Sequence, residues 1–191
     1  MQLGEAIENR RSIRKFQDKP VPRELVGQVL EAATLAPSGK NAQPWEFIVL
    51  EGAARDKLPE LITAGAEKVE AMGYSSGSAK NSARILEESG VIIVVYNPNG
   101  KANEDGNEYH RAMRSVDTQS VGAAIENMLL RATELGLGSL WICDVFFARA
   151  EIDAWLQRDG ELMAAVALGW PGESPGPRPR KSWQEVTTWK E

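Results

Sequence analysis

The sequence predicts a layered fold of alternating helices and strands, of the α/β or α+β class. Its 191 residues are enough for one domain with a core, and 42% of them are apolar and 26% charged, as in ordinary globular proteins. The run Val91–Tyr96 is continuously apolar and β-branched, which predicts a strand buried on both faces. Apolar residues recur at helical spacing over Val121–Leu135, which predicts a central helix capped by Gly136.

The same patterns predict the other elements. Pro22 suits the first turn of a helix, and that helix should end before Pro37. A proline-rich, extended tail follows from Pro171. In chain order, we expect helices over Gly4–Arg10, from Pro22, from about Ala53, over Asn81–Glu88, Val121–Leu135 and Ala148–Leu156, and strands over Trp45–Leu50, Val91–Tyr96, Ser139–Cys143 and Leu162–Leu168.

Composition excludes several classes of function. The net charge of −5 argues against non-specific nucleic-acid binding, which needs a basic face. Cys143 is the single cysteine and His110 the single histidine, so neither an intramolecular disulfide nor a usual zinc site is expected. Residues 1–14 contain no apolar segment typical of a secretion signal, and no apolar run approaches the ~20 residues that span a bilayer. We therefore expect a soluble cytoplasmic domain without a metal.

Two short segments could bind an anion or a ligand. Arg10, Arg11, Ser12 and Arg14 combine guanidinium forks with a hydroxyl near a helix end, which suits a phosphate. A solvated basic turn is the alternative interpretation. The loop Ser38–Asn41 is small, polar and contains glycine, so its backbone amides could approach a ligand closely. An ordinary connection between two elements is the alternative there.

No catalytic constellation is evident from the remaining residues. The glycines of Gly136–Trp141 follow a helix and precede a strand, which is the reverse of the dinucleotide-binding order. His110 lies in a polar stretch and is interpreted as a surface residue. Cys143 ends an apolar strand and is interpreted as buried and inert. An enzyme built from these residues would take its chemistry from a cofactor.

Several motifs together resemble the nitroreductase family of FMN-dependent flavoproteins. The resemblance covers nearly the whole chain, and its second motif is the most specific. The matching segments are Arg10–Phe16, Ala36–Phe47, Glu126–Leu130, Gly136–Ile142, Leu168–Pro171 and Arg178–Lys181.

The resemblance implies an α+β, nitroreductase-like fold in which a mixed central β-sheet is flanked by helices in α-β-α layers. It implies one FMN-binding domain over residues 1–191, with the extended tail from about residue 171, and a homodimer with FMN at the interface. The implied activity is ping-pong electron transfer from NADH or NADPH to a nitroaromatic, a quinone or a similar flat acceptor. Nucleic acid and membrane are not expected as partners.

The resemblance also assigns roles to residues. Arg10, Arg11, Ser12, Arg14, Arg178 and Arg180 match positions that hold the FMN phosphate and part of the ring. Pro37, Ser38, Gly39, Lys40 and Asn41 match a stretch that reaches the flavin of the other subunit. Asn81 and Ser120 match positions near the ring, and Cys143 and Asp144 fall where backbone amides meet its edge. No side chain is assigned as catalytic, although Lys40 and Arg14 are candidates for electrostatic stabilisation of reduced flavin.

Alternative functions remain open. Cys143-Asp144 and Ser120 depart from common family residues on the reactive side of the flavin, so the acceptor is not specified. A reductive dehalogenase, a flavin-fragmenting enzyme and a non-catalytic FMN-binding protein are the alternatives. The loops Tyr74–Gly77 and Asn97–Asn107 are candidate lids. The wide apolar face of the Val121–Leu135 helix, with Trp183, Val186 and Trp189 in the tail, predicts self-association.

Overall fold

The computed structural model describes residues 1–100 and 106–191. The described part contains four strands and six α-helices, with short 3₁₀ turns between some of them. In chain order these are α1 (Leu3–Asn9), α2 (Arg23–Thr34), β1 (Glu46–Leu50), α3 (Ala53–Ala71), α4 (Ala79–Glu88), β2 (Val91–Asn97), α5 (Glu108–Glu134), β3 (Gly138–Ile142), α6 (Arg149–Leu156) and β4 (Glu161–Gly169).

The four strands form one sheet in the order β1-β2-β4-β3, and every neighbouring pair is antiparallel. The expected mixed sheet is therefore wrong for the four strands, and the parallel component is one bridge between Ser12 and Ser139. The parallel pairing is limited to one bridge because the segment after α1 touches the outer edge of β3 at Ser12 and then turns away toward Pro171. The α+β class with helices on both faces is confirmed.

The two faces of the sheet bury separate apolar cores. Alternate residues of β2 point to opposite sides, as in any strand, so Ile92 and Val94 join one core and Ile93 and Val95 the other. Helices α3, α4 and α6 cover the first face, and helices α2 and α5 cover the second. The sheet thus forms the middle layer of three, and only its edges and loop ends are open to ligands.

Helix α5 begins 13 residues before the predicted Val121. The Asn107 side chain caps its first turn by accepting a hydrogen bond from the His110 backbone N–H at 3.2 Å. At the other end Gly136 adopts a left-handed φ of 75°, and the Leu137 N–H donates to the Ala132 carbonyl at 2.8 Å. Gly136 therefore caps the helix as predicted. The polar stretch before Val121 is also helical, with Asp117 and Ser120 buried.

Much of the apolar face of α5 is buried inside its own chain. Val121, Ala124, Ile125 and Met128 are fully buried against α2 and the sheet. These four residues are therefore not available to a second subunit, whereas Ala123 and Leu130, which widen the face, are half-buried. The expectation that part of this face packs on a second subunit stays a prediction. No helix in the described ranges 1–100 and 106–191 is long and apolar enough to cross a membrane.

Candidate functional site

An arginine pocket forms where the two ends of the chain meet. Its volume is about 460 Å³. Two segments far apart in sequence form its walls: the turn after α1 and the extended tail after β4. The lining residues used below are Arg10, Arg11, Ser12 and Arg14 from the first wall and Arg178 and Arg180 from the second. These are the six residues that the sequence assigned to a phosphate.

The first wall is attached firmly to the sheet. Ile13 is buried at its centre, and its N–H donates to the Ser139 carbonyl of β3 at 3.0 Å. Arg10 forms an ion pair with Glu126 of α5, with 3.2 Å between Nε and Oε1. Because its middle residue is buried and its backbone is bonded, this wall holds its arginines on a fixed backbone.

Among the described residues, the hydrogen bonds that attach the second wall to the rest of the chain lie at its beginning. The Arg14 N–H donates to the Glu173 carboxylate at 2.6 Å, and the Gly172 N–H donates to the Lys15 carbonyl at 2.8 Å. From Glu173 to Arg180 the chain forms neither helix nor strand, and both Arg178 and Arg180 are exposed. The Arg180 guanidinium donates to the neighbouring Pro179 carbonyl at 3.2 Å.

The pocket concentrates positive charge in an acidic chain. Five arginines and one glutamate, Glu8, are the charged residues of its lining, whereas the whole chain has a net charge of −5. Within residues 1–100 and 106–191, the guanidinium of Arg178 has no carboxylate partner, and that of Arg14 bonds the Ser12 carbonyl. Arginine forks bind the oxygens of phosphate in a bidentate way. The pocket is therefore built for a compact anion.

The loop Ser38–Asn41 forms a 3₁₀ turn that rests on α5. The Gly39 N–H donates to the Ser120 hydroxyl at 3.3 Å, and that hydroxyl donates to the Val116 carbonyl at 2.8 Å. A Cβ on Gly39 would lie 2.3 Å from a Val116 methyl carbon, so the close approach requires glycine. Ser120 thus anchors this loop, a contact that nothing in the sequence had indicated.

Left-handed backbone is concentrated in the same loop. Lys40, Asn41 and Gln43 have φ values of 53°, 56° and 48°, although none is glycine. Such residues cost ~1 kcal/mol or more each and are held by their surroundings, often at ligand sites. Lys40 and Asn41 are exposed, and Pro37–Asn41 lie outside the lining of the arginine pocket of their own chain.

Asp144 joins the end of β3 to the start of α4. Its carboxylate accepts hydrogen bonds from Ser78, at 2.8 Å, and from Ser82. The strand ends at Ile142, so Cys143 lies outside it and is exposed. The expectation of a buried strand cysteine is wrong, because the chain leaves the sheet one residue earlier. Partial burial, and secondarily the Asp144 charge, raise the pKa of the Cys143 thiol.

The remaining residues predicted from the sequence are Asn81 and the two candidate lid loops. Asn81 is exposed on α4, where its carbonyl oxygen accepts from Arg84 at 3.1 Å. In the Tyr74–Gly77 loop, Ser76 is buried and donates to Glu70, so this candidate lid is tied to α3. Five of the eleven residues of the second candidate lid, 101–105, lie outside the described residues. Its first residue, Asn97, belongs to β2.

Comparison with known proteins identifies the family. The chain matches the profile of the Nitroreductase family over residues 7–170 and belongs to that family. It is 30% identical, over 93% of its length and 82% of the relative's, to a protein of Methanothermobacter thermautotrophicus assigned as an NADH dehydrogenase/NAD(P)H nitroreductase. It is also 30% identical to the 5,6-dimethylbenzimidazole synthase of Rhodospirillum rubrum, over 92% of this chain and 85% of that protein.

A solved structure supports the same assignment. A protein from Desulfovibrio desulfuricans that is assigned as a nitroreductase was crystallised in complex with FMN. Its structure has a TM-score of 0.76 to this chain, and the two sequences are 29% identical. The alignment covers 100% of this chain and 98% of that protein. The resemblance found in the sequence motifs is thus confirmed at the level of family and fold.

Proposed function

We propose that this protein is an FMN-dependent oxidoreductase that takes electrons from NADH or NADPH and passes them to a flat organic acceptor. The observation that carries the proposal is the arginine pocket, in which five arginines from both ends of the chain converge. Family membership and the FMN-bound structure from Desulfovibrio desulfuricans support the same cofactor for this chain.

The pocket fits the phosphate end of FMN. Its volume of about 460 Å³ accommodates more than a phosphate, since small-ligand sites span ~300–1,000 Å³. Ser12 adds a hydroxyl donor beside the arginines. The Arg178 guanidinium has no carboxylate partner among the described residues, and the pocket has a surplus of positive charge. Both features favour a terminal monophosphate dianion over a neutral ligand.

Each group of residues has a task in this proposal. Bound FMN supplies the redox chemistry, because flavin accepts a hydride from a nicotinamide and then reduces a second substrate. Arg10, Arg11, Arg14, Arg178 and Arg180 hold the phosphate. The cationic groups of Lys40 and Arg14 stabilise negative charge on the reduced cofactor electrostatically. No side chain acts as a dedicated acid, and the acceptor takes its proton from water.

A homodimer with FMN at its interface is part of the proposal. The Ser38–Asn41 loop is strained, exposes Lys40 and lies outside the pocket of its own chain, so we assign it to the cofactor of a second copy. Cys143, Asp144, Asn81 and Ser120 are assigned to the surroundings of the ring. The dimer, like these roles, is supported by the resemblance and by the shape of the loop.

The first experiment examines the cofactor and the kinetics. The purified protein should be yellow, should release FMN on denaturation, and should oxidise NAD(P)H with a quinone or nitroarene. Parallel double-reciprocal lines are expected, because one cofactor serves two substrates in turn. A colourless protein that FMN cannot reconstitute, or one that carries FAD, would overturn the proposal. FMN that binds without turnover would favour the non-catalytic alternative.

Mixed dimers test the shared site. An Arg14→Ala subunit and a Lys40→Ala subunit are each impaired at both sites of a homodimer. A heterodimer of the two has one site with both residues intact and one with neither. Activity should therefore rise on mixing and exchange. If activity in the mixture stays at the average of the two variants, the two residues serve the same subunit's site.

A second candidate is supported by the relative from Rhodospirillum rubrum. Its identity of 30% to a 5,6-dimethylbenzimidazole synthase equals that of the nitroreductase-type relative from Methanothermobacter thermautotrophicus. A flavin-fragmenting enzyme would convert reduced FMN and oxygen into the benzimidazole. Incubation of the reduced, FMN-loaded protein in air, followed by mass spectrometry, decides between the two. Formation of 5,6-dimethylbenzimidazole would favour the synthase over the acceptor reductase.

A further inference from the structure

The Asp144 carboxylate is held in one orientation by two hydroxyl groups. Ser78, which precedes α4, donates to its Oδ2 at 2.8 Å, and Ser82 of α4 donates to the same oxygen. The Ser82 N–H also donates to the Ser78 carbonyl at 2.8 Å, so the two hydroxyls belong to one helical turn. Because both bonds end on one oxygen, the carboxylate is fixed while its second oxygen stays available.

That second oxygen, Oδ1, receives no hydrogen bond from residues 1–100 and 106–191. It is also not enclosed, since the one buried side-chain polar atom without a partner in those ranges is Asn97 Nδ2. Asp144 is half-buried, and the preceding residue, Cys143, is exposed. Oδ1 is thus an acceptor that is accessible to a ligand and is held in place before the ligand arrives.

The charge of Asp144 is not cancelled by a basic side chain. In the described part of the chain it forms no ion pair, and the basic residues of α4, Lys80 and Arg84, pair with Glu70 and Glu88 instead. Hydroxyl donors orient an ionised carboxylate but leave its net charge in place. Asp144 is therefore a fixed negative charge, in contrast to the positive charge of the arginine pocket.

Strand β3 joins this carboxylate to the arginine pocket. Near the start of the strand, Ser139 pairs with Ser12 of the first wall, and Asp144 follows two residues after the strand ends. A strand extends ~3.3 Å per residue, so the carboxylate lies on the order of 10–15 Å from that wall. In the proposed function the phosphate binds at the wall, and the resemblance assigns Cys143 and Asp144 to the edge of the flavin ring.

We propose that Asp144 determines which acceptors the proposed oxidoreductase takes. Its Oδ1 accepts a hydrogen bond from an N–H or O–H group of a neutral or cationic flat acceptor, and its charge disfavours acceptors that carry a carboxylate. A donor group gains a charge-assisted hydrogen bond at this position, whereas an anion meets a like charge there. The inference rests on the proposed function and names the substrate class of the same site.

Asp144→Asn separates this role from a purely structural one. The asparagine carbonyl oxygen still accepts from both serines, so the connection between β3 and α4 is kept. The negative charge is lost, and the free position becomes an N–H donor. A specificity role therefore predicts a change in ligand preference, and a structural role predicts none.

Benzamide and benzoate are the probes, because both are flat and similar in size and only benzamide is neutral and carries N–H donors. The FMN-loaded wild type should bind benzamide about tenfold or more tighter than benzoate, and Asp144→Asn should lower that ratio about tenfold or more. Calorimetric titration measures both affinities. A change in the flavin absorbance on titration checks that each probe binds beside the ring. An unchanged ratio in Asp144→Asn would overturn the proposal.

Two further variants serve as control and as second test. Asp18→Asn removes an exposed carboxylate near Gly90, at the opposite end of the sheet, and should leave the ratio unchanged. An equal fall in Asp18→Asn would mean that only the overall charge matters. Ser78→Ala combined with Ser82→Ala removes both orienting donors and should lower the ratio severalfold. This double variant decides the question if Asp144→Asn does not fold, as checked by circular dichroism.

Turnover extends the test to acceptors. With para-nitrobenzamide and para-nitrobenzoate as acceptors, Asp144→Asn should lower the KM for the benzoate and leave its kcat nearly unchanged, because the lost charge acts on binding. A fall in kcat for both acceptors with no change in either KM would assign Asp144 to the reaction itself and overturn the specificity role.

Failure of this proposal can be distinguished from failure of the proposed function. Wild type and Asp144→Asn should bind FMN equally well, because the phosphate is held by the arginines. FMN-loaded protein whose probe preference does not respond to Asp144→Asn overturns the specificity role alone. If the protein binds no FMN, the proposed function is wrong, and the same calorimetry on the unloaded chain decides the role of Asp144. A benzamide preference that Asp144→Asn removes supports that role, and its absence overturns it.

Discussion

The two walls of the arginine pocket differ in how they are held. The wall formed by residues 10–14 lies against β3, with Ile13 buried and bonded to Ser139. The wall formed by residues 175–180 is exposed beyond Glu173, and Arg178 projects from an extended chain. In the proposed function, the first wall therefore fixes where the phosphate binds, and the arginines of the second wall add contacts from a less firmly held chain.

This difference predicts unequal contributions from chemically identical side chains. An arginine on an ordered backbone loses only its own side-chain entropy when it binds. An arginine on a loosely held tail also orders the backbone around it, at ~1–2 kcal/mol per residue. The same guanidinium–phosphate contact thus contributes less net affinity from the tail than from the first wall.

The largest expected effect is at the anchored wall. Arg10→Ala should weaken FMN binding about 100-fold, since hydrogen bonds to charged groups contribute ~1.5–3 kcal/mol each. Titration of the apoprotein followed by flavin fluorescence gives the dissociation constant. Arg23→Ala is the control, because Arg23 pairs with Glu51 far from the pocket. Equal affinities for Arg10→Ala and wild type would place the phosphate elsewhere.

A smaller loss is expected at the tail. Arg178→Ala should weaken FMN binding only about tenfold, because the entropy of ordering the tail offsets part of the contact. A loss at Arg178 as large as the loss at Arg10 would show that both walls are equally ordered.

The loop that rests on α5 should respond to a single methyl group. Gly39→Ala directs a Cβ at the Val116 methyl, and overpacking of this kind costs ~1–3 kcal/mol of unfolding free energy. Adding Val116→Ala should restore most of the lost stability, since it removes the atom that clashes. Urea unfolding of the two single variants and the double variant measures this. A Gly39→Ala protein as stable as wild type would mean that the loop moves away from α5 at little cost.

The smallest expected effect concerns the Cys143 thiol. Its pKa is raised by burial and by Asp144, so less thiolate is present at any pH below that pKa. Asp144→Asn removes the second cause and should lower the thiol pKa, which raises the alkylation rate at pH 8. Iodoacetamide labelling against pH measures the shift. Cys143→Ala should keep appreciable turnover, because we assign the backbone of this residue, not its thiol, to the flavin.

Short-range sequence patterns predicted the helices and strands. Short motifs also predicted the arginines proposed to bind phosphate. The strand at residues 91–96 was readable from its continuous apolar run, and Gly136 from its place at the end of a periodic helix. The arginines were readable because charge-rich segments at both ends of the chain resemble family motifs. Their meeting in one pocket required the fold, since more than 160 residues separate Arg14 from Arg178.

Contacts between distant residues were not predictable. The Tyr96 hydroxyl lies in a strand that reads as wholly apolar, yet it donates to Asp153 of α6 at 2.8 Å. The sequence showed Ser120 only as a departure from the family pattern, whereas its hydroxyl accepts a hydrogen bond from the Gly39 N–H. The Asp144 carboxylate accepts hydrogen bonds from Ser78, which precedes α4, and from Ser82 of α4. In each case the tertiary packing decides which residue is the hydrogen-bond partner. The identity of a single residue does not indicate that partner.

The strand order has a consequence for synthesis on the ribosome. Strand β4 lies between β2 and β3, although it is the last of the four to be made. A nascent chain that has emerged as far as β3 therefore exposes an unpaired edge of β2, whose residues are among the most apolar of the protein. A pause in translation after β3 has emerged prolongs this exposure, whereas emergence of β4 and of the segment that follows it closes the sheet and brings the second arginine wall to the first.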